Sequence, residues 1–92
     1  MSILVMGVGG MGEPLAWALK KLGAEVIVGD VSKDTMCEIR QRLDCEKSLS
    51  IIGRYDFVLA DNVDLVVSCV PYEMTTLIAR DCAAHNVRYC DL

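Results

Sequence analysis

Glycines dominate the segment Gly7-Val8-Gly9-Gly10-Met11-Gly12, which follows the apolar run Ile3-Leu4-Val5-Met6 and precedes a stretch rich in alanine and leucine. Such a segment predicts a strand, a tight turn and a helix, with Gly7 forming the turn. Without a Cβ, Gly9 lets an anion approach the backbone, and Gly12 lets the helix pack close to the strand. Since the first N–H groups of a helix are free and its dipole favours negative charge, the turn is predicted to bind phosphate.

Asp30 follows a second apolar run and completes the pattern of a dinucleotide-binding fingerprint. Its carboxylate is expected to accept hydrogen bonds from the adenosine ribose 2′-hydroxyl and to repel a 2′-phosphate, which favours NAD over NADP. Ser32 and Lys33 lie in the same loop and are able to hold a phosphate, so NADP stays open. The alternative is a glycine-rich turn in another α/β protein, such as a flavodoxin-like or methyltransferase domain.

Composition indicates one small domain with an aliphatic core. The chain has 92 residues, of which 53% are hydrophobic, but it contains one Trp and one Phe. This suits parallel strands that are covered on both faces. A net charge of -4 argues against nucleic acid, which is bound by clustered Lys and Arg. No apolar stretch reaches the roughly 18 residues of a membrane span, so a cytoplasmic protein without membrane contact is expected.

Cysteine and histidine usage predicts no metal site. The chain has 5 cysteines in no CxxC pair, without the spacing of a zinc site or a disulfide framework. We expect free thiols in a reducing compartment, buried as small hydrophobic side chains. The single histidine, His85, is expected to end a helix beside Asn86, where a cation suits the helix dipole. The cysteines are Cys37, Cys45, Cys69, Cys82 and Cys90.

Apolar runs alternate with helical patterns along the chain, which predicts right-handed crossovers and a parallel sheet. The expected fold is therefore α/β and Rossmann-type, a doubly wound sheet of about five strands in the order 3-2-1-4-5. A third strand over residues 48–52, followed by a helical turn over 54–60, competes with an extended segment over 55–59. The other strands are predicted over 2–6, 25–29, 64–70 and 87–90, and the helices over 10–22, 33–43 and 72–85.

Two residues of the first helix are unusual for their predicted positions. Pro14 lies within the helix and predicts a distorted first turn, because it lacks an N–H. Trp17 lies off the predicted core face, so it either contacts a missing domain or second subunit or packs at the edge of the core. Ser32 is predicted to cap the second helix. The predicted core face of the first helix consists of Leu15, Ala18, Leu19 and Leu22.

The last third of the chain carries a resemblance to a known family. It reads Asp64-Leu65-Val66-Val67-Ser68-Cys69-Val70-Pro71, then a helix, then His85-Asn86-Val87-Arg88-Tyr89-Cys90-Asp91-Leu92. A strand that ends in a small residue and proline, followed by a helix and a strand closing in Tyr-x-Asp, resembles the amino-terminal cofactor domain of the saccharopine dehydrogenase family. Ala16-Trp17-Ala18-Leu19-Lys20 fits the first helix of that family. The resemblance covers nearly the whole chain except residues 44–62.

The resemblance implies an NAD(P)-binding domain, residues 1–92, of a longer oxidoreductase that acts on a CH–NH group of an amino acid by hydride transfer. The catalytic residues, which the sequence does not identify, would then lie in a second domain. It also implies that Asp91 faces the cofactor crevice. The implied cofactor-binding residues are Gly7, Gly9, Gly10, Met11 and Gly12 at the pyrophosphate, Asp30 and Val31 at the adenosine ribose, and Cys69, Val70 and Pro71 beside the nicotinamide ribose.

Two other classes remain as alternatives. Gly9-Gly10-Met11-Gly12-Glu13-Pro14-Leu15-Ala16 is similar to the opening of β-hydroxyacid dehydrogenases. Regulatory nucleotide-sensing domains of cation transporters also carry the glycine motif and the acidic residue, and they dimerise, so a homodimer belongs to this alternative. At the level of single residues, Cys69 is either a redox thiol or a small residue beside the ribose. Asp91 either orients a substrate amine or nicotinamide amide, or caps a following helix.

Overall fold

A computed structural model of the protein describes residues 1–30, 32–44, 47–50, 63–70 and 72–91. Within them, parallel strands form one sheet in the order β3-β2-β1-β4-β5, which confirms the predicted fold class and strand order. A π-helical turn, Val8–Gly12, leads directly into the first α-helix. The strands are β1 (Ser2–Met6), β2 (Glu25–Asp30), β3 (Lys47–Ser50), β4 (Leu65–Ser68) and β5 (Arg88–Asp91), and the α-helices are α1 (Glu13–Lys21), α2 (Lys33–Leu43) and α3 (Tyr72–Ala84).

Strand β1 lies between β2 and β4 and is covered on both faces. Its side chains alternate between the two faces, so a continuous apolar run serves two separate cores. The first core joins β1, β2 and β4 to α1 and α2, and the second joins the same strands to α3. The first contains Ile3, Val5, Val26, Val28, Val67, Ala16, Ile39 and Leu43, and the second contains Leu4, Met6, Ile27, Val66, Ile78 and Cys82.

Helix α2 follows the sequence prediction closely. It spans Lys33–Leu43, and the Ser32 side chain caps it by accepting a hydrogen bond from the Thr35 N–H at 3.3 Å. Its apolar residues Ile39 and Leu43 are buried. Strand β3 agrees with the predicted strand over residues 48–50, whereas the helical turn over 54–60 and the competing segment over 55–59 lie outside the described residues.

The beginning of the first helix differs from the prediction. Regular α-helix starts at Glu13 rather than at residue 10, and the preceding turn is π-helical. Pro14 therefore lies in the first turn of α1, directly after the π-helical turn. The expected distortion is confirmed, and it takes the form of the wider π turn.

The predicted core face of α1 is wrong at two residues. Ala16 is fully buried against the sheet, and Leu15 and Leu19 are partly buried, but Ala18 is exposed and Leu22 is 83% exposed. Each residue advances about 100° around an α-helix, so Ala18 points almost opposite to Ala16. Leu22 follows the last helical residue as the C-cap. Trp17 is exposed on the flank toward α2.

Polar contacts join the ends of α1 and α2. The Lys20 ammonium donates hydrogen bonds to the carbonyl oxygens of Leu43 and Asp44, the latter at 2.7 Å. Nη2 of Arg42 lies 2.9 Å from Oε2 of Glu13. Lys20 thereby satisfies carbonyl groups that the end of α2 leaves without helical partners.

Cysteine burial agrees with the prediction only in part. Cys82, on the inner face of α3, is fully buried in the core and Cys69 is half-buried, but Cys37 and Cys90 are exposed. Cys37 lies on the outer face of α2, and Cys90 points away from α3 on the edge strand. The prediction of burial is therefore wrong for these two, while Cys45 lies outside the described residues. No helix in the described part of the chain is long and apolar enough to span a membrane.

Candidate dinucleotide-binding site

The glycine-rich turn leaves β1 where the strand order reverses, with β2 on one side and β4 on the other. Hydrogen bonds continue the sheet into the turn: the Gly7 N–H donates to the Gly29 carbonyl at 2.8 Å, and the Cys69 N–H donates to the Met6 carbonyl at 2.8 Å. In doubly wound sheets, ligands bind in the crevice at such a switch point, outside the carboxyl ends of the strands.

Gly7 must be glycine for two independent reasons. Its φ of 81° lies in the left-handed region, which costs other residues energy. A Cβ at this position would lie 2.9 Å from the carbonyl carbon and oxygen of Cys69 and 3.0 Å from Cγ1 of Val70. The turn therefore passes directly over the end of β4, and the predicted tight turn at Gly7 is confirmed.

Gly12 has a different requirement from Gly7. Its φ of -67° and ψ of -36° are ordinary helical values that any residue adopts. A Cβ here would nevertheless overlap the carbonyl oxygen of Gly7 and approach Cγ1 of Val5 at 3.7 Å. The close packing of the helix on the strand, predicted at Gly12, is confirmed.

The outer side of the turn is open. Gly10 has a φ of 66°, and a Cβ built on it would meet nothing within 4 Å among the described residues. The neighbouring Met11 side chain is 70% exposed, while the Val8 side chain is fully buried and anchors the turn. The Val8 N–H is taken by the Asp30 carboxylate. Because no helical carbonyl precedes the first turn of a helix, the following N–H groups, those of Gly9, Gly10 and Met11, are available to an anion on this open side.

Asp30 lies at the end of β2 beside the turn. Its Oδ2 accepts a hydrogen bond from the Val8 N–H at 3.0 Å, and its Oδ1 accepts one from the Ser32 N–H at 3.0 Å. The sequence identified the carboxylate but missed these two partners, because both are backbone groups without a side-chain signal. The predicted neighbour Val31 lies outside the described residues.

The residues expected beside the nicotinamide ribose follow β4. Cys69 and Val70 are half-buried, and Pro71 lies outside the described residues. Burial raises the pKa of the Cys69 thiol, and the Cys90 thiol adds to this rise. A neutral thiol is a weak nucleophile, which favours the interpretation of Cys69 as a small neighbour of the cofactor over a redox role.

Asp91 and His85 lie at opposite ends of β5. Asp91 ends the strand, is exposed and pairs in register with Ser68, so it lies at the same edge of the sheet as the glycine-rich turn. His85 follows the end of α3, where its Nε2 lies 3.7 Å from Oδ1 of Asp81, and the next residue, Asn86, has a φ of 57°. This is the helix end that the sequence predicted, and it lies at the opposite edge of the sheet from the turn.

These features fit a dinucleotide. The corner combines main-chain donors on the open side, at Gly9, Gly10 and Met11, with two positions where a Cβ would collide with the backbone, and a carboxylate on the adjacent strand. Diphosphate binding needs the first of these, and a ribose diol is bound by the last. Within the described residues, no group of three His, Cys, Asp or Glu side chains could hold a metal ion.

Solved structures with the same fold are numerous among dehydrogenases. A probable dehydrogenase from Thermotoga maritima is 25% identical, with a TM-score of 0.87 over 99% of this chain and 27% of its own. GenD2 from gentamicin A biosynthesis, in complex with NAD, is 22% identical, with a TM-score of 0.84 over 99% of this chain and 26% of its own. The chain thus spans about a quarter of the length of these two proteins.

The saccharopine dehydrogenase (L-Glu forming) of Saccharomyces cerevisiae shares the fold as well. It is 17% identical, with a TM-score of 0.82 over 98% of this chain and 21% of its own. No curated protein matches the chain. The profile of the family described as saccharopine dehydrogenase NADP binding domain matches residues 3–92. The chain therefore belongs to this family and is an NAD(P)-binding domain of the dehydrogenase-type oxidoreductases.

Proposed function

We propose that residues 1–92 form the cofactor domain of a saccharopine dehydrogenase-type enzyme, which transfers hydride at a CH–NH group of an amino acid. The family match over residues 3–92 supports this proposal, together with the fold shared with the yeast enzyme. The nicotinamide supplies the hydride chemistry, whereas the domain supplies binding and orientation. Substrate recognition and the general base belong to residues outside this chain.

In this proposal each part of the corner has one task. The amides of Gly9, Gly10 and Met11 hold the pyrophosphate, while Gly7 and Gly12 shape the turn and leave no Cβ in its way. Asp30 and Val31 surround the adenosine ribose. Cys69, Val70 and Pro71 line the nicotinamide ribose side, where a neutral, compact Cys69 leaves room for the sugar. The observation that carries the proposal is the glycine-rich turn itself: a Cβ at Gly12 would overlap the Gly7 carbonyl, and the turn is open to a ligand at Gly10.

The proposal includes a preference for NAD over NADP. Asp30 is held by two backbone amides, so its carboxylate has a fixed position at the end of β2. A 2′-phosphate placed at the ribose would meet this negative charge. The Ser32 oxygen accepts the Thr35 N–H, and its O–H is free to donate to a phosphate, but an uncharged hydroxyl does not offset the repulsion from the Asp30 carboxylate.

Isothermal titration calorimetry of the chain with NAD and with NADP tests this function. We expect both to bind, NAD with about tenfold or higher affinity, since one unfavourable charge contact of about 1.4 kcal/mol gives that ratio. Gly12→Ala should abolish binding of both, and Gly23→Ala, remote from the site, should leave binding unchanged. Failure of the wild-type chain to bind either dinucleotide at millimolar concentration would refute the proposal.

A further inference from the structure

Asp30 connects three segments of the chain around the proposed binding corner. Its Oδ2 holds the Val8 N–H of the glycine-rich turn, and its Oδ1 holds the Ser32 N–H two residues ahead, as in an Asx-turn. The Ser32 side chain in turn caps α2 through the Thr35 N–H. The carboxylate is therefore the central acceptor between the turn and the start of α2.

The contact between Asp30 and Val8 is one of two adjacent links between the turn and β2. The peptide before Asp30 accepts the Gly7 N–H at 2.8 Å through the Gly29 carbonyl, and the Asp30 side chain accepts the next amide, that of Val8, at 3.0 Å. Two successive amides of the turn are thus fixed to two successive residues of β2. Such a pair determines the direction in which the following amides point.

We propose that Asp30 is a positioning residue for the glycine-rich turn, in addition to any contact it makes with the ribose; this inference rests on the proposed dinucleotide-binding function. A carboxylate has about four acceptor positions. Val8 and Ser32 use two of them, which leaves capacity for the ribose hydroxyls. Binding of the pyrophosphate and binding of the ribose therefore both depend on the Asp30 side chain. It acts on the pyrophosphate through the amides of the turn and on the ribose through a direct contact.

The two roles predict opposite outcomes for NADP. If Asp30 only selects the ribose, its removal takes away the repulsion of the 2′-phosphate, and NADP binds as well as before or better. If Asp30 also positions the turn, its removal disorders the amides that hold the pyrophosphate common to both cofactors. Affinity for NADP then falls together with affinity for NAD.

The experiment uses Asp30→Ala and Asp30→Asn, with Asp34→Asn as a control that removes one exposed acidic charge in the first turn of α2. Titration calorimetry measures the affinities for NAD and NADP. Amide hydrogen exchange and proton chemical shifts measured by NMR report on the Val8 and Ser32 N–H groups without cofactor. Thermal unfolding shows whether each variant is folded, and Asp30→Asn, which keeps the side-chain shape, replaces Asp30→Ala if that variant does not fold.

We expect the Val8 and Ser32 amides to exchange about tenfold faster or more in Asp30→Ala, as for loss of a hydrogen bond to a charged acceptor. In Asp30→Asn at least one of the two should do so, because the amide keeps a single acceptor oxygen. Their proton resonances should shift upfield, and affinity should fall about tenfold or more for both dinucleotides. Asp34→Asn should change none of these. Unchanged or tighter NADP binding in every folded Asp30 variant, or unchanged exchange at Val8 in Asp30→Ala, would overturn the inference. Absence of any binding by the wild type would instead refute the proposed function, while the exchange data would still test the contacts.

Discussion

The carbonyl oxygen of Gly7 occupies the space that a Cβ at residue 12 would need. Strand end and helix start are therefore in backbone contact across the turn. Because Gly12 itself has ordinary helical angles, the requirement for glycine here is purely steric. At Gly23 the reverse holds: its φ is 93°, and a Cβ would meet nothing within 4 Å of the described residues.

We expect Gly12→Ala to destabilise the protein by about 3 kcal/mol or more, because backbone must move to admit the methyl group. Gly23→Ala should cost about 1 kcal/mol, the price of a left-handed conformation alone. Urea unfolding followed by circular dichroism gives both free energies. Equal losses in the two variants would contradict the steric account.

Lys20 should contribute to stability through the end of α2. Its ammonium donates to the carbonyl oxygens of Leu43 and Asp44, whereas Lys21 lies over the exposed Trp17 ring, 5.1 Å from its centroid. Lys20→Met is predicted to cost about 1–2 kcal/mol. Lys21→Met, the matched control, should cost about 0.5 kcal/mol. Thermal unfolding of the two variants side by side shows which one loses more stability. A larger loss in Lys21→Met than in Lys20→Met would contradict the prediction.

The described thiols should react in a fixed order with a maleimide. Cys37 and Cys90 are exposed and should be modified first, and Cys69 more slowly, because burial raises its pKa and limits access. Cys82 should react last, only when the core opens. Peptide mass spectrometry over a time course follows each site. Early modification of Cys82 would show that α3 does not pack as described.

Stability should fall at alkaline pH through Cys82. Burial raises the pKa of this thiol from 9.0 to about 11, and the nearby Asp81 carboxylate adds to the rise. The folded state therefore resists ionisation of a group that ionises freely when unfolded. Its contribution is fully present below pH 9 and is lost as the pH rises toward 11, by about 2 kcal/mol in total.

Urea unfolding at pH 8, 9, 10 and 11 measures this loss. Cys82→Ala should be less stable at pH 8, because it leaves a small cavity, but its free energy of unfolding should depend less on pH. Cys69 and Tyr89, whose pKa values are also raised by burial, contribute the remaining slope in both proteins. Parallel pH profiles of variant and wild type would exclude Cys82 as the source.

Features that depend on local sequence could be predicted. Ser32 marked the start of α2, and the spacing of Ile39 and Leu43 marked its buried side. The glycine spacing located the turn, because few other local structures require glycine at both positions, 7 and 12. The strand order followed from the alternation of strands and helices, because right-handed crossover connections allow few strand orders.

Features that depend on neighbours in space could not be predicted. Periodicity grouped Leu22 with Leu19, but it does not show where α1 ends or which flank another element covers. Cys90 is exposed because it lies on β5, the last strand of the sheet, and a pattern of apolar residues does not show which strand is outermost. The bond from Val8 to Asp30 joins a backbone group to a residue far along the chain, so no side-chain pattern indicates it.

The atoms that form the proposed diphosphate cradle are almost all peptide amides, and their identity does not change with the side chain attached. Most side chains of this corner can therefore change without altering its shape, provided that two Cβ atoms stay absent and one acidic residue stays on the second strand. Proteins that are only 17% and 25% identical to the chain share its fold. The shape of this corner therefore depends more on the two Cβ atoms that are absent than on the side chains that are present.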